Sequence, residues 1–351
     1  MKSRLLLITP RFYGVEDKIK LGIEELGFEV SWIENRELSF DYHGSKSKLK
    51  FIRRIYFLLF FPQKKYLKKE LSKIENLKFD ILFSINGHTI CPYLFKNLKS
   101  KNSGLFSVLY LWDSSSMYTW TKELKFFNKV FTFDHTDSRN LGLEYKPNFY
   151  IRNDTYADTA KETDLFFVGK FIPFRLKVID KIISLTETAG IKYFIKMWTA
   201  YKILPHSYLV YFLLKKSNLK TNWIKNYILN YEANEGLLKR DFIIANSLNY
   251  NDVKNMCLAS NVVLDLPYQE QTGYSHRLID AIANGKKVVT TNPYIKNEVF
   301  YNSEQIHIIN LMDPEINPNW IREKQKFPVD EYFRGLELSE WLNSIINAGI
   351  A

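Results

Sequence analysis

Short apolar runs alternate with amphipathic stretches along this chain, and that alternation constrains the fold more than any other feature of its 351 residues. The apolar runs fall at residues 5–9, 29–33, 80–85, 105–111 and 129–133. They recur at 164–168, 194–196, 242–245, 262–266, 287–291 and 307–310. Most are short and lack internal polar alternation, the pattern of strands buried on both faces. Between them, residues 15–26, 175–185, 251–259 and 277–284 have helical spacing, and Gly27 closes the first of these as a C-terminal glycine. Strands joined through helices need crossover connections, which predicts α/β architecture with parallel sheets. Residues 339–346 predict a terminal helix; residues 199–237, aromatic and Lys-rich, carry the weakest pattern.

A stretch rich in Pro, Asn and Asp at 147–160 separates two halves built on the same grammar. It predicts domains at 1–155 and 156–351, with the final helix able to pack back on the first. Each half is long enough to bury its own core. Two doubly wound, Rossmann-like domains in series place a ligand cleft between them, at the carboxyl ends of the strands. Polar residues gather at those ends: Arg11 to Gly14, Asn86 to His88, Asp113 to Ser116, Asp134 to Asp137, Gly169 with Lys170, and Glu270 to His276. A sheet packed for stability alone has no use for such a set.

The two cysteines, Cys91 and Cys257, lie far apart inside apolar segments, which points to a reducing compartment and away from a disulfide framework or a thiolate metal site. The first apolar run ends at Pro10 without a cleavage pattern and reads as a strand, and no run approaches the roughly 20 residues that span a bilayer. The expectation is a cytoplasmic protein, peripheral on the inner face of the cell membrane. The net charge of +11 is unevenly spread: residues 46–70 hold nine Lys or Arg against one acid, Glu70, around the apolar run IYFLLFF at 55–61. The aromatics form a block instead of interleaving with the basic residues, which disfavours nucleic acid. A core helix with solvated basic ends and a surface that docks on an anionic membrane both fit.

Several chemistries are disfavoured. The first strand leads into TPRFYG, with one glycine, so the dinucleotide fingerprint is missing; no P-loop, H-E-x-x-H or G-x-S-x-G occurs either. There is no D-x-D, so a phosphate-bearing ligand has to be neutralised by helix N-termini, Lys and Arg, and no metal is expected. The stretch LDLPYQEQTGYSHRLIDAIANGKKVVTTN at 264–292 is suited to that task. Its helix begins near Ser275, so the turn before it offers backbone N–H groups and a positive dipole end to an anion. Gly273 allows close approach, Arg277 stands in the first turn where an anionic partner would justify a cation, and Asp280 shares its face. A simple cap at Thr272 or Ser275, with Arg277 and Asp280 solvated, is the plainer alternative.

The spaced residues from Gln271 to Thr291, with LYLWDSS at 109–115, FNKVFTFDHTDS at 127–138, PNFY at 147–150 and DLFFVGKF at 164–171, resemble GT-B glycosyltransferases of bacterial lipopolysaccharide and capsular polysaccharide synthesis, CgeB-like members among them. The resemblance spans residues 5–311. It implies a GT-B fold whose C-terminal domain holds a nucleotide-sugar donor, without a further cofactor, and a glycan or lipid-linked glycan acceptor. By this resemblance Asp280 takes the ribose-binding position, where Glu is usual. Glu270, Gln271, Thr272, Gly273, His276 and Arg277 line the donor site, and Gly169, Lys170 and Arg175 lie by the phosphates. Asp113 is the candidate acid of the N-terminal domain that takes the acceptor proton, with Asp134 as second choice; a capping role for either is the alternative. A non-catalytic sugar-nucleotide or glycan-binding protein and a GT-B-like epimerase are the other readings of the same architecture.

Overall fold

The computed structural model describes residues 2–35, 62–86, 92–116, 124–152, 163–199, 212–216, 236, 239–245 and 248–348. The expected domain boundary at 155/156 lies outside them, as do Cys91, His88, residues 46–61 of the basic segment and most of 199–237.

The first half runs β1 (Arg4–Thr9), α1 (Val15–Glu25), β2 (Glu29–Glu34), α2 (Pro62–Ser72), β3 (Ile81–Ile85), α3 (Pro92–Lys101), β4 (Phe106–Leu111), β5 (Lys129–Thr132), α4 (His135–Leu141) and β6 (Glu144–Tyr145). Its strands form one parallel sheet in the order β2-β1-β3-β4-β5-β6. The second half runs β7 (Thr163–Lys170), α5 (Pro173–Ala189), β8 (Tyr193–Trp198), β9 (Ile243–Ile244), α6 (Tyr250–Ala259), β10 (Ser260–Asp265), α7 (His276–Ala283), β11 (Lys287–Thr290), β12 (Ile306–Ile308), α8 (Pro318–Arg322) and α9 (Leu338–Asn347). Its sheet, ordered β12-β11-β10-β7-β8-β9, is parallel throughout.

The apolar runs are strands because helices cover both sides of each sheet. In β1, Leu5 and Leu7 enter one core cluster while Leu6 and Ile8 enter another, the two-residue period of a strand buried on both faces. Likewise Phe166 and Leu165 of β7 go to opposite sides. Three elements carry no sequence expectation, among them the five-residue helix α8. The edge strand β6 has only two residues, too few for a pattern, and α3 alternates Lys with apolar residues over a short span.

In each sheet the order reverses next to the first strand of its half, so the carboxyl ends there open a crevice. The helix α9 closes the molecule by returning to the first half. Gly22 on α1 admits it: a Cβ there would stand 2.8 Å from Leu342 Cδ1. Trp341 is fully buried, its ring edge-on to Tyr110 at 4.6 Å and its Nε1–H donating to the Pro147 carbonyl at 2.9 Å. One apolar cluster consequently runs through both halves, from Leu7 and Phe83 to Val263 and Val288.

Candidate active site

The end of β7 and the start of α7 bring four expected residues together. A Cβ on Gly169 would lie 3.3 Å from Arg277 Nη2, 3.4 Å from Arg175 Nη1 and 3.0 Å from Phe167 Cζ. Glycine is therefore what lets two guanidiniums close on the strand. Arg175 is buried and donates to the carbonyls of Leu266 at 2.6 Å and Lys170 at 3.0 Å. Arg277 lies over the Phe167 ring at 4.7 Å and pairs with the buried Asp265 at 3.2 Å. Burial, and next the charge of Arg277, push Arg175 down to about 10, which leaves it cationic at neutral pH; burial also lowers Arg277. Asp265 is the carboxylate that offsets both, and it also accepts from Ser275 Oγ at 2.6 Å and Thr290 Oγ1 at 3.3 Å. A buried and a partly exposed cation against one shared carboxylate leave an excess positive charge that an anion would relieve. Lys170, exposed beside them, holds its ammonium 5.9 Å from the Trp198 ring centre. Among the described residues no group of three His, Cys, Asp or Glu is placed to hold a metal ion.

The turn at 270–275 is used differently from the sequence expectation. Its backbone N–H groups do meet an anion, but the anion is Asp134 of the facing domain. Asp134 is fully buried and accepts from Thr272 N at 2.8 Å, Thr272 Oγ1 at 2.8 Å and Gly273 N at 3.2 Å, while capping α4 through Thr136 N and Asp137 N. So enclosed, the carboxylate braces the seam in this structure, and its hydrogen bonds leave it turned away from an acceptor hydroxyl. Gly273 serves the same contact, since a Cβ there would fall 2.4 Å from the Phe133 carbonyl oxygen. Around this seam Tyr274 donates to Glu298 at 2.7 Å, His135 Nε2 stands 3.0 Å from Glu298, and Asn148 donates to the Tyr274 carbonyl at 2.9 Å. Ser275 is the N-cap of α7, its hydroxyl accepting from Leu278 N.

Asp280, expected to meet a ribose, pairs with the buried Lys254 at 3.3 Å and accepts from the Ile151 backbone; Lys254 also donates to the Ile151 carbonyl. Burial raises its carboxyl despite Lys254. In this structure Asp280 ties α7 to the connection between the halves. Glu270 is exposed and Gln271 half-buried, each at the rim of the turn.

On the opposite wall, Asp113 follows β4, its Oδ2 accepting from Asn86 Nδ2 at 2.6 Å. Its neighbour Trp112 lies against His276 at 5.6 Å and Phe12 at 5.4 Å, and Tyr13 faces Trp198 across the halves at 6.4 Å. His276 Nδ1 lies 3.2 Å from the Phe149 carbonyl, which places the proton there and leaves Nε2 as an acceptor, buried and without a partner. Burial holds this imidazole down at about 4, so it is neutral through the physiological range. The sequence reading missed Asp265, Lys254 and the aromatic wall of Phe12, Trp112 and Trp198, and it placed Asn86 at the crevice without a partner. Asp265 had a signal, an acid ending an otherwise apolar strand beside the turn already singled out; Lys254 had none.

No known family model matches the chain, and no curated protein matches it. Solved structures do. An α,α-trehalose-phosphate synthase of Burkholderia xenovorans, in complex with glucose-6-phosphate, is 11% identical over 99% of this chain and 100% of its own, with a TM-score of 0.57. The α,α-trehalose 6-phosphate synthase of Burkholderia multivorans is 10% identical over 98% of both chains, with a TM-score of 0.53. A trehalose-6-phosphate protein of E. coli bound with UDP-2-fluoro glucose is 11% identical over 98% of this chain and 96% of its own, at 0.51. With the two parallel six-stranded sheets, these likenesses give the chain the GT-B fold.

Proposed function

We propose that the protein is a glycosyltransferase that moves a sugar from a nucleotide-sugar donor to a glycan acceptor without a metal. The observation that carries this reading is the pair of the buried Arg175 and the partly exposed Arg277, closed on Gly169 with Asp265 as the carboxylate shared between them. A donor diphosphate supplies the missing negative charge, and Lys170 at the rim adds a third cation. In the transfer, the acceptor oxygen bonds to the anomeric carbon. The bond from that carbon to the diphosphate breaks, its electron pair leaving on the nucleoside diphosphate, and the acceptor proton passes to Asp113.

A panel of UDP-, GDP-, ADP- and dTDP-linked hexoses, each with and without chelator, tests the reading. Transfer or slow donor hydrolysis supports it; binding without chemistry points to a sugar-nucleotide-binding protein, and interconversion of the sugar to an epimerase. Arg277→Ala should weaken donor binding by about 1.5–3 kcal/mol, a charge-assisted phosphate contact. Unchanged affinity in a folded variant, or parent affinity lost to chelator, would remove the phosphate assignment.

The acceptor we propose is a lipid-linked surface glycan of the lipopolysaccharide or capsule kind, met at an anionic membrane on the cytoplasmic side. The support is the outer face of the first domain. Helix α2 buries Leu67 and exposes Lys64, Lys65, Lys68 and Lys69, and α3, in the same core cluster, exposes Lys96 and Lys99. Among the described residues no helix is long and apolar enough to cross a membrane. Each basic residue near an anionic leaflet contributes about 1 kcal/mol, within a Debye length of roughly 8 Å at physiological salt. Binding to phosphatidylserine vesicles should therefore fall steeply with salt. Changing the four α2 lysines to Glu should abolish it and leave donor affinity alone. Vesicle binding indifferent to both would make this a plain solvated face.

A further inference from the structure

Asn86 directly follows β3, beside β4, where the carboxyl ends of the strands open the crevice. Its φ is 53°, the left-handed region, and it shares that condition among the described residues only with Tyr13 in the loop after β1 and with glycines. It is 3% exposed. Every polar group it has is engaged. Its N–H donates to the Tyr110 carbonyl at 2.9 Å, and its carbonyl accepts from Asn35 Nδ2 and Ser84 Oγ, each at 3.0 Å. Its side-chain Oδ1 accepts from Trp112 N at 3.2 Å, and Nδ2 donates to Asp113 Oδ2 at 2.6 Å.

The backbone at this point favours glycine, yet a side chain is present, and a side chain held at cost in a crevice marks a task for it. The amide has one orientation open to it: Trp112 N–H can meet only an oxygen, so the NH₂ end must face Asp113. We propose that Asn86 is a positioning residue that fixes the plane of the Asp113 carboxylate and, through Trp112 N, the backbone that carries it. The far side of the same loop is pinned by Asp137, which accepts from Ser115 N at 2.8 Å and from the Ser115 hydroxyl. Asp113 is held from both sides, in the way a group meant to meet a reacting atom has to be. This proposal rests on Asp113 being the proton acceptor of the transfer.

Two substitutions separate positioning from scaffolding. Asn86→Gly relaxes the left-handed backbone and removes both side-chain bonds; Asn86→Asp keeps the size, the tolerance of positive φ and the acceptor for Trp112 N, and sets a second carboxyl group against Asp113 in place of the donor. Turnover is read as nucleoside diphosphate release from the donor that the hexose panel selects. Both variants should lose about tenfold or more in kcat with donor KM within about twofold of the parent. In an Asp113→Asn background, Asn86→Gly should cost nothing further in kcat, because the two act through one carboxylate. Parent-like kcat in Asn86→Asp, or full additivity in the double variant, overturns the positioning role while leaving Asp113 intact. Full activity in Asp113→Asn itself overturns the reading underneath.

Discussion

An Asp113→Asn enzyme should bind its donor as the parent does and turn over about 100-fold or more slowly. The substitution keeps the shape of the side chain and removes its ability to take a proton. The new amide can still present an oxygen to Asn86 Nδ2, so the loop between Asn86 and Asp137 stays where it is. Arg175 and Arg277, the cations proposed to hold the donor, belong to the second half of the chain. A loss confined to kcat would identify an interaction made in the transition state, whereas a matching rise in KM would identify uniform binding. The capping alternative makes the opposite forecast, a less stable protein with unchanged turnover per folded molecule. Full activity in a folded variant would send the proton-accepting role to another residue of the crevice, and Asp134, buried in the seam, could inherit it only if the seam opens.

The sequence made the sheets legible because parallel strands covered on both sides are written as continuous apolar runs, and LLLIT or VVLDL cannot be read another way for long. The tips were legible for a related reason: polar residues at the ends of such runs have to stand at the crevice. Partner choice was not legible. The turn at Thr272 and Gly273 advertises N–H groups for an anion, and nothing local says whether the anion is a ligand or a carboxylate 138 positions away in sequence. Asp280 and Lys254 meet for the same nonlocal reason, as do Trp341 and Tyr110. Gly273 shows how a correct inference can take the wrong object: close approach was foreseen, but what approaches is the Phe133 backbone.

That seam sets the second large effect. Asp134→Ala should destabilise the protein by about 3–5 kcal/mol, since several buried donors lose their acceptor and each orphaned group costs about 1–3 kcal/mol before water or relaxation recovers part of it. The donors are the N–H groups of Thr136 and Asp137 at the start of α4, and Thr272 N, Gly273 N and the Thr272 hydroxyl across the seam. Losing an ordinary cap costs about 1 kcal/mol, so the surplus measures the contact between domains. It is a large share of a total stability of about 5–15 kcal/mol. Asp134→Asn should fall between, because its amide offers one acceptor oxygen in place of two. The measurement is the urea midpoint of each variant, with donor turnover scaled to the folded fraction. If Asp134→Ala melts like the parent and loses turnover instead, the carboxylate is chemical after all, and the seam must open during the reaction to expose it.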